Sequence, residues 1–538
     1  MSQAQVSRDA QRSPSWGNQN APLRVAANRC AETIPILCHP RTCVIHVESA
    51  KTESLWYGAN VNDLPEASLF PPRLICLLLL ALGLRLGWGL SRPSDSASIE
   101  QLPDQREYLE LSDHLRLGSG LHFFDPRYKS DVYAYRTPGY PLFLAACGSS
   151  PRLARTAQAL IDTSTVLAVY LLSRRWFATG QSLFAATLVA LNPFLIYFSG
   201  LILSEALFTA MLTWGMLLLA GSRNQADNRG LKPYPVLGGL LLALAILVRP
   251  SGIGLPVLLG VTAAVLNRDG RKAYLRGWCL RPAFLMLSLT FLALAPWAYR
   301  NHTVLGRWIW TTTNGGMTAY DGFNDQATGA SDQRAIARLP GVAQASELER
   351  DQFFTAQASR WIQAHPRRSL ELAVAKILRT WSPVPLSAEY GRPMYRWVGG
   401  LYALPLDLLV ILGVCFGFRS PPPLVLQGGR VRVRGSFLVR MFKLVVQCRS
   451  HEMPPHPNPP PRSTGGEGTG NANGLSRNAK AYLLIPAIYI TAIHAMSVGS
   501  LRYRLPAEPA MAVIAAAGMM YVVRWMKRGC RATATPSL

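Results

Sequence analysis

Apolar stretches of membrane-spanning length alternate with short polar loops along most of this chain. About 20 apolar residues are needed to cross roughly 30 Å of hydrocarbon, so each stretch is a predicted span. The pattern predicts an all-α polytopic membrane protein with about 10 transmembrane helices (8 to 13) and short helices in its outer loops. Residues 138–148 are an alternative re-entrant segment. The predicted spans are about 73–90, 153–173, 182–199, 201–220, 234–249, 252–266, 280–298, 396–417, 481–498 and 505–523.

The loops on the two sides of these spans differ in charge. Residues 174–181, 221–233, 267–281 and 524–531 together contain fourteen basic and two acidic residues. Residues 91–138 contain six basic and eight acidic residues. Because short cytoplasmic loops are enriched in Lys and Arg, we expect a multi-pass protein of the cytoplasmic membrane with both termini in the cytoplasm and residues 91–138 outside.

The same pattern divides the chain into four parts. Residues 1–65 are polar, lack periodicity and show no signal-peptide pattern, so we predict either a disordered extension or sequence upstream of the true start. Residues 66–418 form the main membrane region, with outer loops at 91–138 and 298–395. Residues 419–480 are predicted to be an inserted basic cytoplasmic loop rich in Pro and Gly. Residues 481–538 contain the C-terminal spans and a basic tail.

The second half of the outer loop 298–395 is predicted to be helical. Apolar residues recur at helical spacing between Ser346 and Trp381. The pair His365-Pro366 interrupts this pattern, so we expect two helices that meet there.

Composition supports the membrane interpretation. Of the 538 residues 49% are hydrophobic and 16% are charged, and the formal net charge is +25. The positive charge lies in short loops between apolar segments, so we do not expect a nucleic-acid partner. The nine cysteines include no CxxC pair and have no His partner at zinc spacing, so neither a disulfide framework nor a metal site is predicted.

Two carboxylates stand out on the predicted outer side. Asp104 lies just beyond the first span, and Glu205 begins a span that is otherwise apolar. Asp104 can cap a helix, with Glu107 three residues later completing a capping box. It can also take a proton from an acceptor hydroxyl. A helix N-terminus favours an acid at position 205, but a lone carboxylate beside a membrane helix is costly and also indicates a functional site.

Arginines gather on the same predicted side. Each one alone is explained by snorkelling, in which the guanidinium reaches the headgroups while the stem stays in lipid. Together, around one carboxylate-bearing loop, they predict a phosphate site, because a guanidinium can bind phosphate through two hydrogen bonds. The candidate phosphate ligands are Arg136, Arg300, Arg502 and Arg504.

Three further residues are candidates for lining the same cavity. Arg249 stands at the outer end of a span, and Tyr503 lies between two of the arginines. Asp321 belongs to the turn-rich stretch 311–324, which either covers the site or is an ordinary solvated loop.

The order of these motifs resembles the GT-C glycosyltransferases. The closer match is the branch that contains protein O-mannosyltransferases, the lipid A aminoarabinose transferase and the Rgt-type lipopolysaccharide transferases. The resemblance covers roughly residues 70–418 and 480–525. Residues 1–65 and 419–480 have no counterpart in it. The motifs are Asp104 to Tyr108, Arg136 to Pro141, Asn192-Pro193, Ser204-Glu205, Pro296-Trp297, Arg300-Asn301, and Arg502 to Pro506 with Pro509.

The resemblance implies an inverting enzyme that moves a sugar from a polyprenyl-phosphate donor to a lipid, glycan or protein acceptor outside the membrane. Asp104 would be the catalytic base or the group that positions the acceptor. Glu205 would lie in the same cavity, and Arg136 would contact the donor phosphate. Gln105 follows Asp104 here, whereas the protein mannosyltransferases more often have paired acids, which makes a protein acceptor less favoured.

Cofactor requirements follow from the same comparison. The sequence contains no Rossmann glycine fingerprint and no P-loop, and a lipid-phosphate donor needs neither. We expect no required cofactor. A divalent cation is compatible with the chemistry, but no motif supports it. The expected partners are the polyprenyl-phosphate-linked sugar, the acceptor and membrane lipid.

Two other classes of protein remain as alternatives. A transporter or flippase of lipid-linked sugars would show mid-span polar residues and an internal repeat. In this chain the charged residues lie at the predicted outer face instead of in mid-span. His494 is the one mid-span exception, and we predict an interhelical hydrogen bond for it. A polysaccharide ligase or polymerase would show a large outer loop late in the chain.

The orientation can be tested by thiol labelling. In a background without native cysteines, single cysteines at positions 120 and 330 should react with an impermeant reagent in intact cells, because both positions are predicted outside. A cysteine at position 270 should react only after permeabilisation. Labelling of position 270 from outside would overturn the orientation and the grouping of the charges.

Overall fold

The computed structural model describes residues 70–221, 233–266, 280–333, 336, 339, 342–386, 392–417 and 475–532. The predicted extension 1–65 and most of the predicted loop 419–480 lie outside these described residues. Two 3-10 helices, Pro250–Gly252 and Leu501–Ala507, precede membrane helices. The α-helices of the described residues, named α1 to α17 in chain order, are Pro72–Leu90, Ser96–Glu100, Pro103–Arg116, Gly139–Ala146, Pro151–Ser173, Thr179–Ala190, Pro193–Ser199, Glu205–Leu219, Pro233–Val248, Leu255–Leu266, Leu280–Leu305, Gly315–Gly322, Glu347–Ala364, Pro366–Thr380, Pro393–Phe416, Arg477–Ala495 and Glu508–Ala532.

The helices of this membrane protein differ in length and polarity. Within the described residues, four are long and apolar enough to span a bilayer, and the bent pair α6 and α7 makes a fifth if it counts as one span. Three shorter apolar helices lie at Glu205–Leu219, Tyr234–Val248 and Pro250–Leu266. A mostly helical membrane fold is thus present, and the figure of about ten spans stays a prediction. The four long candidates are Pro72–Leu90, Leu280–Leu305, Pro393–Phe416 and Leu501–Lys527.

Local sequence explains where several helices begin. Asn192 caps α7, because its side-chain oxygen accepts hydrogen bonds from the backbone N–H groups of Phe194 and Leu195. Ser346 and Glu349 form a complete capping box at the start of α13. The predicted break at His365-Pro366 separates α13 from α14, which confirms the two helices expected there.

Helices α15 and α17 pack closely against each other in the membrane region. A Cβ atom added at Gly413 or at Gly518 would collide with the backbone of the opposite helix. Small residues at these positions allow close approach of the helices, as in other membrane helix pairs. The candidate span Leu501–Lys527 is accordingly 72% buried, compared with 22% for Pro72–Leu90.

The predicted outer loops 91–138 and 298–395 share one small hydrophobic core. Together they are called the outer domain below. Strands β1 (Phe123–Asp125) and β2 (Ser130–Val132) form an antiparallel hairpin that pairs Phe123 with Val132. The sequence analysis predicted only helices in the outer loops, so this hairpin corrects it. The residues of the shared core are Leu111, Phe123, Tyr128, Val132, Tyr135, Met317, Ile336, Val342 and Phe354.

A buried carboxylate joins the two loops. Glu347, in the first turn of α13, accepts hydrogen bonds from the backbone N–H groups of Tyr133 (2.6 Å) and Ala134 (2.9 Å). The hydroxyl of Thr313 also donates to it. Residues far apart in sequence are thereby held together.

A buried ion pair connects three helices of the membrane region. The Nε of Arg85 on α1 lies 2.5 Å from Oδ2 of Asp162 on α5, and both side chains are essentially inaccessible. The guanidinium also donates to the carbonyl oxygens of Val189 (3.1 Å) and Ala190 (3.0 Å) at the end of α6. The sequence analysis did not single out either residue. Charges inside a membrane persist only when they are paired in this way.

Removal of one partner of this pair should destabilise the protein strongly. Asp162→Asn leaves the guanidinium of Arg85 buried without a counter-charge, which typically costs about 3–5 kcal/mol. The double variant Arg85→Met, Asp162→Leu removes both charges and should recover most of that loss. Thermal unfolding in one detergent, with the exposed Glu371→Gln as control, measures both effects. A single variant as stable as the wild type would show that the pair is not stabilising.

Candidate active site

Asp104 is held between two guanidinium groups. It lies in the first turn of α3, where a negative charge is favoured by the helix dipole. Its Oδ1 atom lies 2.5 Å from Nη2 of Arg136, and its Oδ2 atom lies 2.8 Å from Nη2 of Arg502. The two arginines approach from distant parts of the chain. The structure therefore brings together three residues that the sequence analysis grouped by sidedness alone.

The alternative capping role of Asp104 is wrong in this structure. The N-cap of α3 is Leu102, which makes no side-chain capping bond. Glu107 turns instead toward Arg136, whose Nε (2.9 Å) and Nη2 (2.5 Å) both donate to Oε2. Sequence reasoning missed Glu107 as a site residue. Its spacing of three residues from Asp104, which places both on one helix face, was the available signal.

A second carboxylate joins the same cluster. Glu205 begins α8 and is only 2% exposed. Its Oε1 atom lies 2.8 Å from Nη1 of Arg249 and 3.3 Å from Nε of Arg502. Arg502 therefore bridges Asp104 and Glu205, so the two predicted carboxylates occupy one site.

An aromatic stack supports the arginines of this cluster. The ring of Tyr503 lies 5.4 Å from the guanidinium carbon of Arg249 and 5.3 Å from that of Arg502. The imidazole of His494 stacks on the same Tyr503 ring, with the ring centroids 3.9 Å apart and an interplanar angle of 3°. His494 also contacts Ser497 Oγ at 3.2 Å, just past the end of its own helix. His494 thus makes this stack and local contacts with Ser497 and the backbone of Val498. The interhelical hydrogen bond stays a prediction.

Burial and neighbouring charges shift the pKa values of Asp104 and Glu107, the two carboxylates on α3. Burial alone would raise the pKa of Asp104, but the positive charges of Arg136 and Arg502 outweigh it and hold that pKa well below its usual range. Burial dominates for Glu107 and, helped by the nearby charge of Asp104, raises its pKa despite Arg136. Asp104 is therefore ionised throughout the physiological range.

Two predicted phosphate ligands bind other groups. Arg300 donates to the backbone oxygens of Leu121 (2.5 Å) and Tyr133 (2.7 Å). Arg504 is buried and pairs with Glu508 at 2.8 Å. These contacts hold loops and helices together, so we centre the site on Arg136, Arg249 and Arg502. A phosphate role for Arg300 and Arg504 stays a prediction.

Asp321 belongs to a second buried group in the outer domain. Its carboxylate accepts hydrogen bonds from Ser331 Oγ (2.5 Å) and from the backbone N–H of Asp332 (2.8 Å). The Nζ of Lys376 on α14 lies 3.2 Å from the ring centroid of Phe323 and has no hydrogen-bond partner among the described residues. Burial lowers the pKa of Lys376 to about 7, although the charge of Asp321 opposes this. The cavity role of Asp321 stays a prediction.

Metal binding was considered for the parts of the chain that the structure describes. They bring together no group of three His, Cys, Asp or Glu side chains suited to hold a metal ion. The requirement for a divalent cation stays a matter for experiment.

Residues 140–299 match the model of one protein family, the dolichyl-phosphate-mannose-protein mannosyltransferases. The match confirms the resemblance to the GT-C glycosyltransferases that the motifs predicted, and a glycosyltransferase is the class of membrane enzyme that this segment indicates. It contains Glu205 and Arg249 but begins after Asp104 and Arg136. No curated protein matches the chain by sequence.

Solved structures of an archaeal enzyme are similar to the chain. The oligosaccharyltransferase AglB from Archaeoglobus fulgidus, in complex with an inhibitory peptide and a dolichol-phosphate, is 14% identical with a TM-score of 0.46. The match covers 87% of this chain and 52% of that one. The Archaeoglobus fulgidus oligosaccharyltransferase tethered to an acceptor peptide is 15% identical with a TM-score of 0.45, covering 86% and 50%. The chain thus spans about half the length of these structures.

The buried lysine predicts a pH-dependent stability. The pKa of Lys376 is about 7 in the folded protein, below its ordinary value of 10.5. The unfolded chain therefore binds more protons between these values, and stability should rise as the pH increases from about 7 to about 10.5. Lys376→Met should remove this part of the dependence and raise the unfolding midpoint at pH 7.

The matched control for this experiment is Lys129→Met, because Lys129 is exposed. Thermal unfolding of both variants in one detergent, measured across that pH range, checks the effect. An unchanged slope in Lys376→Met would mean that the ammonium is solvated in the folded protein.

Proposed function

We propose that the chain is an integral-membrane inverting glycosyltransferase that transfers a sugar from a polyprenyl-phosphate donor. The acceptor is a lipid, a glycan or a protein, reached on the outer side of the cytoplasmic membrane. The observation that carries the proposal is the position of Asp104 between Arg136 and Arg502. A carboxylate that meets the acceptor and guanidinium groups that meet the phosphate are the two functions that this reaction needs.

The arginines supply the electrostatic part of the mechanism. Negative charge grows on the donor phosphate as the glycosidic bond breaks. Preplaced guanidinium groups in a partly dry site stabilise that charge more than water does. Arg136, Arg249 and Arg502 are 16%, 12% and 21% exposed in their side chains, so they reach a ligand while remaining largely shielded from water. The Nη1 group of Arg136 takes no part in the ion pairs with Asp104 and Glu107.

The carboxylates supply the proton-transfer part of the mechanism. With two guanidinium partners and a lowered pKa, Asp104 is a weak base before substrate binds. A donor phosphate that takes over bonds from Arg136 and Arg502 would return basicity to Asp104, as the acceptor hydroxyl becomes acidic during attack. Glu107 and Glu205 hold the arginines in place when no phosphate is bound. Asp104 therefore positions the acceptor first and receives its proton late.

The location of the reaction is part of the proposal. Both termini are assigned to the cytoplasm on the basis of the basic short loops. Asp104 and the outer domain then lie on the opposite side, where a polyprenyl chain holds the donor in the bilayer. The partners are this donor, the acceptor and membrane lipid, and nucleic acid is not among them. We assign no required cofactor.

Asp104→Asn should separate the enzyme from a purely structural role. The substitution keeps the side-chain volume, so the protein should reach the membrane at normal levels. Transfer from a lipid-linked donor in liposomes should fall by about 10²- to 10⁴-fold, as is typical when a general base is removed. Asp113→Asn is the control on the same helix, because the Asp113 side chain is 55% exposed and its contact with Arg116 is 3.9 Å long.

The arginine variants test phosphate binding. Arg136→Ala should raise the KM for the donor, and Arg136→Lys should restore it only in part, since lysine lacks the bidentate fork.

Full transfer by Asp104→Asn would remove that residue from the mechanism. Movement of lipid or solute across liposomes with no transfer in the wild type would instead favour a flippase.

A further inference from the structure

Helix α14 exposes a row of large apolar side chains and buries a lysine. Leu370, Val374 and Leu378 recur every fourth residue, which places them on one face, and they are 68%, 49% and 67% exposed. The opposite face buries Leu372, Lys376 and Thr380 almost completely. A surface helix normally turns its apolar stripe toward the core and its charged side chains toward solvent. The outward face of α14 therefore fits an apolar environment.

The neighbours of α14 identify that environment. The helix packs against α16, which is a predicted span, and against the 3-10 helix Leu501–Ala507. Exposed apolar residues of comparable accessibility mark the membrane helices, such as Leu292 at 65% on α11 and Leu404 at 60% on α15. The apolar stripe of α14 is thus next to the membrane region and has the same surface character.

The length and the charged residues of α14 indicate its orientation relative to the bilayer. Its 15 residues extend about 22 Å, which is shorter than the roughly 30 Å hydrocarbon layer. Arg367 and Arg368 lie in its first turn with side chains 96% and 54% exposed, and both pair with Glu371. A short helix with a polar overall composition, an apolar face and basic residues is typical of a helix that lies in the plane of the membrane interface.

We propose that α14 lies on the outer leaflet of the bilayer, with Leu370, Val374 and Leu378 inserted among the upper acyl chains and Arg367 and Arg368 at anionic headgroups. The proposal does not depend on the proposed enzymatic activity.

The position of α14 has a consequence for the candidate site. Gly499 packs directly on the backbone of Lys376, where a Cβ atom would collide, and its N–H donates to the carbonyl oxygen of Gly329 at 2.8 Å. Arg502 follows three residues later. An α14 anchored in the leaflet therefore fixes the height of Arg502 relative to the headgroups.

Depth-dependent fluorescence quenching tests the insertion. The full-length protein, without native cysteines, receives one cysteine labelled with the environment-sensitive dye NBD and is placed in nanodiscs. Dye at position 374 should lose emission when the lipids are brominated on the upper acyl chain. Dye at position 359 on α13, where Ser359 is exposed, is the matched control and should lose none.

A second measurement addresses the charges. Arg367→Gln with Arg368→Gln should reduce the quenching at position 374 in discs containing phosphatidylglycerol, and the reduction should disappear in discs of phosphatidylcholine alone. Equal quenching at positions 374 and 359, or none at 374, would overturn the proposal. Crosslinking between cysteines at position 374 of two copies, without lipid quenching, would assign the stripe to a protein contact instead.

Discussion

An ionised group in or beside a membrane is costly unless an opposite charge and several hydrogen bonds stabilise it. Three carboxylates in or beside the membrane region meet this requirement with arginine from another part of the chain. Asp162 meets Arg85, Glu205 meets Arg249, and Asp104 is shared by two guanidinium groups. These contacts fix which helices lie together, because an alternative packing would leave charges unpaired.

Arg502 links the largest part of this network. It lies on the 3-10 helix that connects α16 with α17, and it bridges the N-terminal helix α3 to the start of α8. Its guanidinium carbon lies 5.3 Å from the ring of Tyr503, and that ring stacks on His494. The charged groups of this cluster are in place before any ligand binds. In the proposed reaction, phosphate replaces carboxylate as the partner of the same arginines. The arrangement thus joins stability to the proposed chemistry.

The outer domain also contains buried charged groups. Its shared core and the buried Glu347 hold two distant loops together, whereas Lys376 lies inside without a hydrogen-bond partner in the described part of the chain. Burial of an ammonium group without a hydrogen-bond partner is energetically unfavourable. A helix surrounded by water would avoid this by turning its charged face outward. In α14 the outward face instead carries Leu370, Val374 and Leu378. The proposed contact with the lipid surface accounts for the exposure of these three side chains.

Sequence alone determined the membrane character, the break between α13 and α14, and the grouping of Asp104, Arg136, Glu205, Arg249 and Arg502 on one side. Hydropathy and the sidedness of charge are local properties of the chain, and they can be counted without knowing its path. Tertiary structure decided the partners. Glu107 faces Arg136 instead of capping its helix, and Arg504 binds Glu508. It also revealed the pair of Arg85 and Asp162, 77 residues apart, because no local pattern encodes which distant charge will neutralise a buried one.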